Sequence, residues 1–154
     1  MWKLSKFLIV LGGCGFVLVA AVIALVSYAT YAGSKYDASS KAYVDRVLPE
    51  IIGAWSAHTL EQEAATKLKL EVPNEQIGST FRRFSVLGRL VAYRGSHGES
   101  KVSFTLKNGE VVTAKYEADA EFEHGNAEID VSLVRPDGRW QIVGFFVKSN
   151  RLLK

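Results

Sequence analysis

The chain has 154 residues, 48% of them hydrophobic and 23% charged, with three prolines and one cysteine. That is one domain's worth of ordinary globular composition, and it excludes a disordered, collagen-like or disulfide-rich protein. The net charge of +3 is not a nucleic-acid footprint: Lys3 and Lys6 precede a long uncharged run, and from Gly33 onward 17 cations face 16 anions.

The first element is that run. From Phe7 to Ser34 there are 28 consecutive residues without a charge, whereas a bilayer core needs only about 20. The segment reads as a transmembrane helix, with Trp2, Tyr28 and Tyr31 as interfacial aromatics. A cleaved signal peptide ending near Thr30-Tyr31-Ala32 would need a shorter apolar region. Leu11-Gly12-Gly13-Cys14 imitates a lipoprotein box, but the apolar run continues past the cysteine. Gly12, Gly13 and Gly15 would instead let a second helix approach closely, as a partner contact or a homo-oligomer seam. The short head with two lysines predicts a signal-anchor in the inner membrane, single-pass, with the following domain extracytoplasmic. Lys35, Lys41 and Arg46 on the far side make that charge count nearly a tie. The expected organisation is residues 1–34 as head and anchor, and residues 35–154 as an α+β domain. Cys14 lies within the run, so the domain has no Cys–zinc site, CxxC pair or cysteine nucleophile.

After a linker at Gly33-Ser34-Lys35, candidate caps at Asp37, Ser39 and Ser40 precede Val44, Val47, Leu48, Ile51, Ile52 and Trp55. Their spacing of three or four predicts an amphipathic helix, which Pro49 should kink or start. A second short helix is expected over Leu60–Leu68. A third follows Pro73-Asn74, with Ile77, Phe81 and Phe84 on one face and Gly88 as its cap.

Beyond Gly88 the period becomes two. Five strands are predicted: Arg89–Arg94, Lys101–Lys107, Val111–Glu123, Asn126–Val134 and Arg139–Ser149. Short glycine-bearing connections make them an antiparallel meander. A loop at His124-Gly125 would pair Phe122 with Ala127, Ala120 with Ile129, Ala118 with Val131 and Tyr116 with Leu133. A loop at Arg135–Gly138 would pair Leu133 with Trp140, Val131 with Ile142 and Ala127 with Phe146. Both keep one face apolar, which a one-residue slip would destroy. Near Asn108-Gly109 a bulge at Val111-Val112 is expected to restore that face.

Helices followed by a bent meander, with Tyr116-x-x-x-Ala120-x-Phe122, Gly125-x-Ala127-x-Ile129-x-Val131-x-Leu133 and Gly138-x-Trp140-x-Ile142, resemble the nuclear transport factor two-like (cystatin-like) superfamily. The closing Gly144-Phe145-Phe146-Val147-x-Ser149 is similar to its small membrane-anchored bacterial members. The resemblance spans roughly residues 36–149 and implies helices held in a strongly bent five-stranded sheet. Two members of that superfamily share the layout of an anchor and such a domain, the bitopic scaffold subunit of type IV secretion channels and small membrane-anchored assembly factors of respiratory oxidases, and no motif here chooses between them. Some members are enzymes with a carboxylate base and a tyrosine inside the cone.

Motifs for chemistry are scarce. His58, His97 and His124 have no metal-ligand spacing, and GxSxG, GxxxxGK[ST] and GxGxxG are absent. No cofactor is indicated. Inward residues are nearly all apolar, with Tyr116 the exception and Tyr43 and Asp45 bordering the helix stripe, which favours a non-enzymatic interaction or assembly module over the alternative, a small-ligand-binding cone or isomerase-like enzyme, either of which needs a polar internal cavity. The distinctive feature is acidic: Asp119 would oppose Asp130 and Glu121 would oppose Glu128 outside the sheet. Like charges across a strand pair cost stability, so the row is a candidate surface for a membrane-complex partner. Lys115 and Arg139 would otherwise relieve it.

Overall fold

The computed structural model describes residues 21–24, 27, 34–105, 107 and 109–152. The predicted transmembrane span falls mostly outside them, as do Gly12, Gly13 and Gly15. Among the described residues no helix is long and apolar enough to cross a membrane.

The first domain helix, α1, occupies residues 34–54. Its apolar stripe is the centre of the core: Val44, Val47, Leu48, Ile51 and Ile52 are all buried. The described helix includes the expected linker residues Ser34 and Lys35, Gly33 lying outside the described residues, and continues without interruption past Pro49. Asp37, Ser39 and Ser40 are therefore interior helix residues rather than caps. The helix closes at Trp55, whose φ of +46° is a left-handed value that a bulky side chain adopts only under packing. That packing is aromatic: Trp55 stacks on Phe122 at 5.2 Å and lies 5.3 Å from Phe84 and 5.8 Å from Phe81.

Two short helices replace the single predicted one. Ser56 caps α2 (Ala57–Glu63), its hydroxyl accepting from the Thr59 amide at 3.1 Å. The chain then straightens so that Ala64 forms a parallel bridge to Ile142, and Ala65 N–H donates to the Ile142 carbonyl at 2.8 Å. Next come α3 (Thr66–Glu71) and α4 (Asn74–Phe84), which buries Ile77 and Phe81 as its spacing predicts. A 3₁₀ turn, Ser85–Leu87, ends at Gly88 with φ +80°, a position glycine accepts without strain.

The sheet has four strands in the order β1 (Leu90–Thr105), β2 (Gly109–Phe122), β3 (Gly125–Val134) and β4 (Gln141–Lys148). Each pair is antiparallel. The class is α+β, but the predicted five strands are corrected to four, because Gly95-Ser96-His97-Gly98 is not a turn. It lies inside β1, where the register with β2 shifts between Tyr93 and Ser96. Gly95, at φ +91°, sits in this bulge. Gly98 is needed for another reason: a Cβ there would fall 2.0 Å from the Lys115 carbonyl oxygen. The bulge expected at Val111-Val112 is absent, since the ladder runs unbroken from Ser96↔Ala118 to Thr105↔Gly109.

The β2–β3 register also differs. The turn is Glu123-His124, and Gly125 already pairs with Phe122, so Tyr116 faces Val131 and Ala118 faces Ile129. This is a two-residue displacement from the expected pairing, and an even displacement leaves every side chain on its predicted face. Ile129 and Val131 are accordingly buried. Between β3 and β4 a shift at Ser132/Leu133 breaks that parity: Leu133 faces Ile142, but Val131 faces Phe145 and Ile129 faces Val147. Phe145 and Val147 pack against the core while Phe146 turns outward, 66% exposed. Trp140 precedes β4 and is half-buried rather than a strand partner of Leu133.

Candidate functional site

Two polar regions flank the sheet. The inner one joins α1 to β1. Asp45 Oδ1 accepts from the Ser96 amide at 3.0 Å, the Ser96 hydroxyl at 2.7 Å and the Tyr93 hydroxyl at 2.8 Å, while Lys41 pairs with Oδ2. Asp37 Oδ1 repeats the motif on the Ser100 amide at 2.7 Å and on the Ser100 hydroxyl. The spacing is matched by geometry. Asp37 to Asp45 is about 12 Å of helix rise, and Ser96 to Ser100 about 13 Å of strand, so an antiparallel helix meets both amides. Between them Tyr116, the strand partner of Gly98, reaches α1. Its hydroxyl lies 2.8 Å from Ser40 Oγ and donates to the Asp37 carbonyl at 3.1 Å.

These bonds fix the ionisation of the seam. Burial alone would raise the Asp45 carboxyl, but donors from Lys41, Ser96 and Tyr93 outweigh it and hold the group below its ordinary value. Burial, and then the bond to Asp45, push the Tyr93 phenol up; burial and Glu63 do the same for Tyr43. A carboxylate with four donors is a poor proton acceptor, so Asp45 and Tyr93 form a structural clamp rather than an acid–base pair. The sequence placed Asp45 at the border of the stripe, but its partners Ser96 and Tyr93 were hidden by reading residues 95–98 as a turn.

The outer region is the acidic face. All four candidate carboxylates lie on it, with pairings changed by the new register: Glu117 opposes Asp130, Asp119 opposes Glu128, and Glu121 opposes Asn126. Cations come from the two edge strands rather than from Lys115 and Arg139. Lys148 on β4 bridges Glu128 and Asp130, each at 2.7 Å, and Arg94 in the β1 bulge reaches Glu121 at 2.6 Å. The two carboxylates raise the Lys148 ammonium above its usual range. His97 lies 3.5 Å from Glu117. Asp119, exposed, has no ion pair among the described residues. It borders an open hollow of about 650 Å³ with Arg94, Asn126, Glu128 and Lys148.

Glu117, Glu128 and Asp130 bring one oxygen each within 4.8 Å of one another, a spacing a divalent cation could bridge. Lys148 already occupies the bonds of two of them. A separate apolar groove of about 310 Å³ lies between Leu68, Val72, Ile77, Phe81 and Phe84 and the β4 residues Phe145 and Val147.

Set against family profiles, curated proteins and solved structures, the chain matches none. The likeness to the nuclear transport factor two-like superfamily thus rests on the core and turn residues quoted for it.

Proposed function

We propose that the chain is a non-enzymatic interaction module held at a lipid bilayer by its uncharged run, residues 7–34, and that its outer sheet face meets a subunit of a membrane complex. The observation that carries the reading is the outer face itself. Two carboxylate pairs stand directly across β2 and β3, bridged on the β3 side by Lys148, and Asp119, with no ion pair among the described residues, stands beside a hollow that Arg94 and Lys148 also border. Like charges held opposite one another cost stability, and a basic partner surface would recover it. The saturated hydrogen bonds of Asp45 and Tyr93, with an inner sheet face filled by Ala114, Ala118, Ile129, Val131 and Leu133, support binding over catalysis.

The test is a double readout on membrane-extracted full chain carrying Asp119→Asn, alone and with Glu121→Gln, Glu128→Gln and Asp130→Asn. The reading expects an unfolding midpoint unchanged or raised for Asp119→Asn, a lower one for the fourfold variant, which also gives up the Arg94 and Lys148 ion pairs, and lower recovery of the cross-linked partner for both. Unchanged recovery at low salt, with the fold intact, removes the acidic face as the contact surface.

A further inference from the structure

One end of the domain gathers three features that the acidic face does not use. The loop between β3 and β4 begins with Arg135, whose guanidinium carbon lies 4.9 Å from the Tyr36 ring centre and 5.8 Å from that of Trp140. The two rings meet edge to face at 6.4 Å, and the Trp140 indole N–H donates to Ser39 Oγ at 3.2 Å. Arg135 Nε is shielded from solvent without a hydrogen-bond partner, and the guanidinium has no ion pair among the described residues. Exposed Arg139 and Lys35 flank this stack, with Asp137 the acid at the loop tip.

The second feature is a ribbon. The β2–β3 ladder ends at Thr113↔Val134, but β1 and β2 continue as a pair through Val102↔Val112 to Thr105↔Gly109. Thr105 lies about 16 Å of strand beyond Ser100, whereas Ser34 lies only about 4.5 Å of helix before Asp37. Because Asp37 clamps Ser100, the ribbon overhangs the described start of α1 by about 12 Å. It carries Phe104, 62% exposed, and exposed Lys107. The third feature is the chain itself: the uncharged run ends at Ser34, beside Tyr36 and beneath this overhang.

We propose that this end is a lipid-docking surface for anionic phospholipid headgroups: Arg135 and Arg139 take phosphate oxygens, Tyr36 and Trp140 lie in the interfacial layer, and Phe104 at the ribbon enters the acyl boundary. An arginine stacked on aromatic rings, with Nε shielded, can still donate to phosphate through its terminal Nη groups, and Trp and Tyr favour the interface for their mixed character. Cations beside an anionic leaflet gain from its surface potential. The inference rests on the membrane placement proposed above, and it adds how the domain is oriented there.

The test uses full chain reconstituted into vesicles of phosphatidylcholine alone or with phosphatidylglycerol, with brominated acyl chains as tryptophan quenchers. Subtracting the Trp140→Phe variant isolates Trp140. Quenching of Trp140 is expected in phosphatidylglycerol vesicles, weakened by added salt. In Arg135→Gln/Arg139→Gln, two cations at roughly fivefold each lower the docked-to-free ratio about 25-fold. Phe104→Ser should weaken quenching without altering the unfolding midpoint. If the chain floats with vesicles and Trp140 is not quenched, docking is overturned while membrane placement stands. If the chain does not float, both fall. If inorganic phosphate shifts Trp140 emission in detergent micelles to the same extent as lipid, the site takes a soluble anion and the lipid surface is overturned.

Discussion

The two edge strands of the sheet are finished in different ways. The β1 edge is closed by α1, whose Asp37 and Asp45 accept amides of Ser100 and Ser96 that would otherwise face water. Among the described residues the β4 edge receives a backbone bond from Ala65 to Ile142, and beside it lies the apolar groove. Directional, partly buried bonds fix position sharply and tolerate little change, whereas apolar cover is adjustable. Substitutions on the β1 side should therefore cost more than matched ones on the β4 side.

The sharpest break in that comparison is at two glycines. Gly98→Ala on β1 should destabilise by about 3 kcal/mol or more, because the new carbon meets rigid backbone. Gly144→Ala on β4 meets the Ser132 side chain at 3.3 Å and should cost under about 1.5 kcal/mol. Urea midpoints of the two variants in detergent measure the difference, and equal losses would remove the asymmetry. Next, Asp37→Ala and Asp45→Ala should each cost about 1–3 kcal/mol by orphaning a strand amide, Asp45 falling at the lower end because its side chain is 32% exposed. Hydrogen exchange at Ser96 and Ser100 should accelerate selectively. Third, the folded Asp45 carboxyl titrates below its unfolded value, so its contribution is complete above the ordinary aspartate range and is lost as pH falls through the lowered value. Acid unfolding should separate β1 from α1 before the β3–β4 pairing changes, and Asp45→Asn should flatten the pH dependence. Smallest of all, Asp119→Asn should move the midpoint by less than about 0.5 kcal/mol, since it removes repulsion without breaking an ion pair.

Much of this architecture can be read from residue spacing, and the errors have identifiable causes. The α1 stripe and the inner faces of β2 and β3 are periodic patterns set by burial, and they read correctly. Register is different. Pairing apolar with apolar detects an odd slip but is blind to an even one, so placing the turn at His124-Gly125 instead of Glu123-His124 passed unseen. The β3–β4 bulge reversed parity, exchanging Phe146 for Phe145 inside, where three consecutive apolar residues offer no alternation to follow. Glycines at 95 and 98 suggested a turn because close backbone approach and a bulge use the same residue as a hairpin does. Asp37, Ser39 and Ser40 resemble a helix cap because the short polar groups that bind amides at a helix start also bind across a fold, here the Ser100 amide, the Trp140 indole N–H and the Tyr116 hydroxyl. Lys148, the cation that bridges the β3 carboxylates Glu128 and Asp130, could not be chosen from sequence until the β4 register was known.

The unbroken helical course through Ser34 and Lys35 has a mechanical consequence. A glycine-serine joint would let the sheet swing independently, averaging its direction over many angles. With Ser34 and Lys35 helical and α1 pinned twice along β1, the domain turns as one piece with residue 34. Each residue added to a helix advances its phase by about 100°. A single insertion within that helix would therefore rotate the outer sheet face through about a quarter of a circle, and four residues would bring it nearly back to its starting bearing.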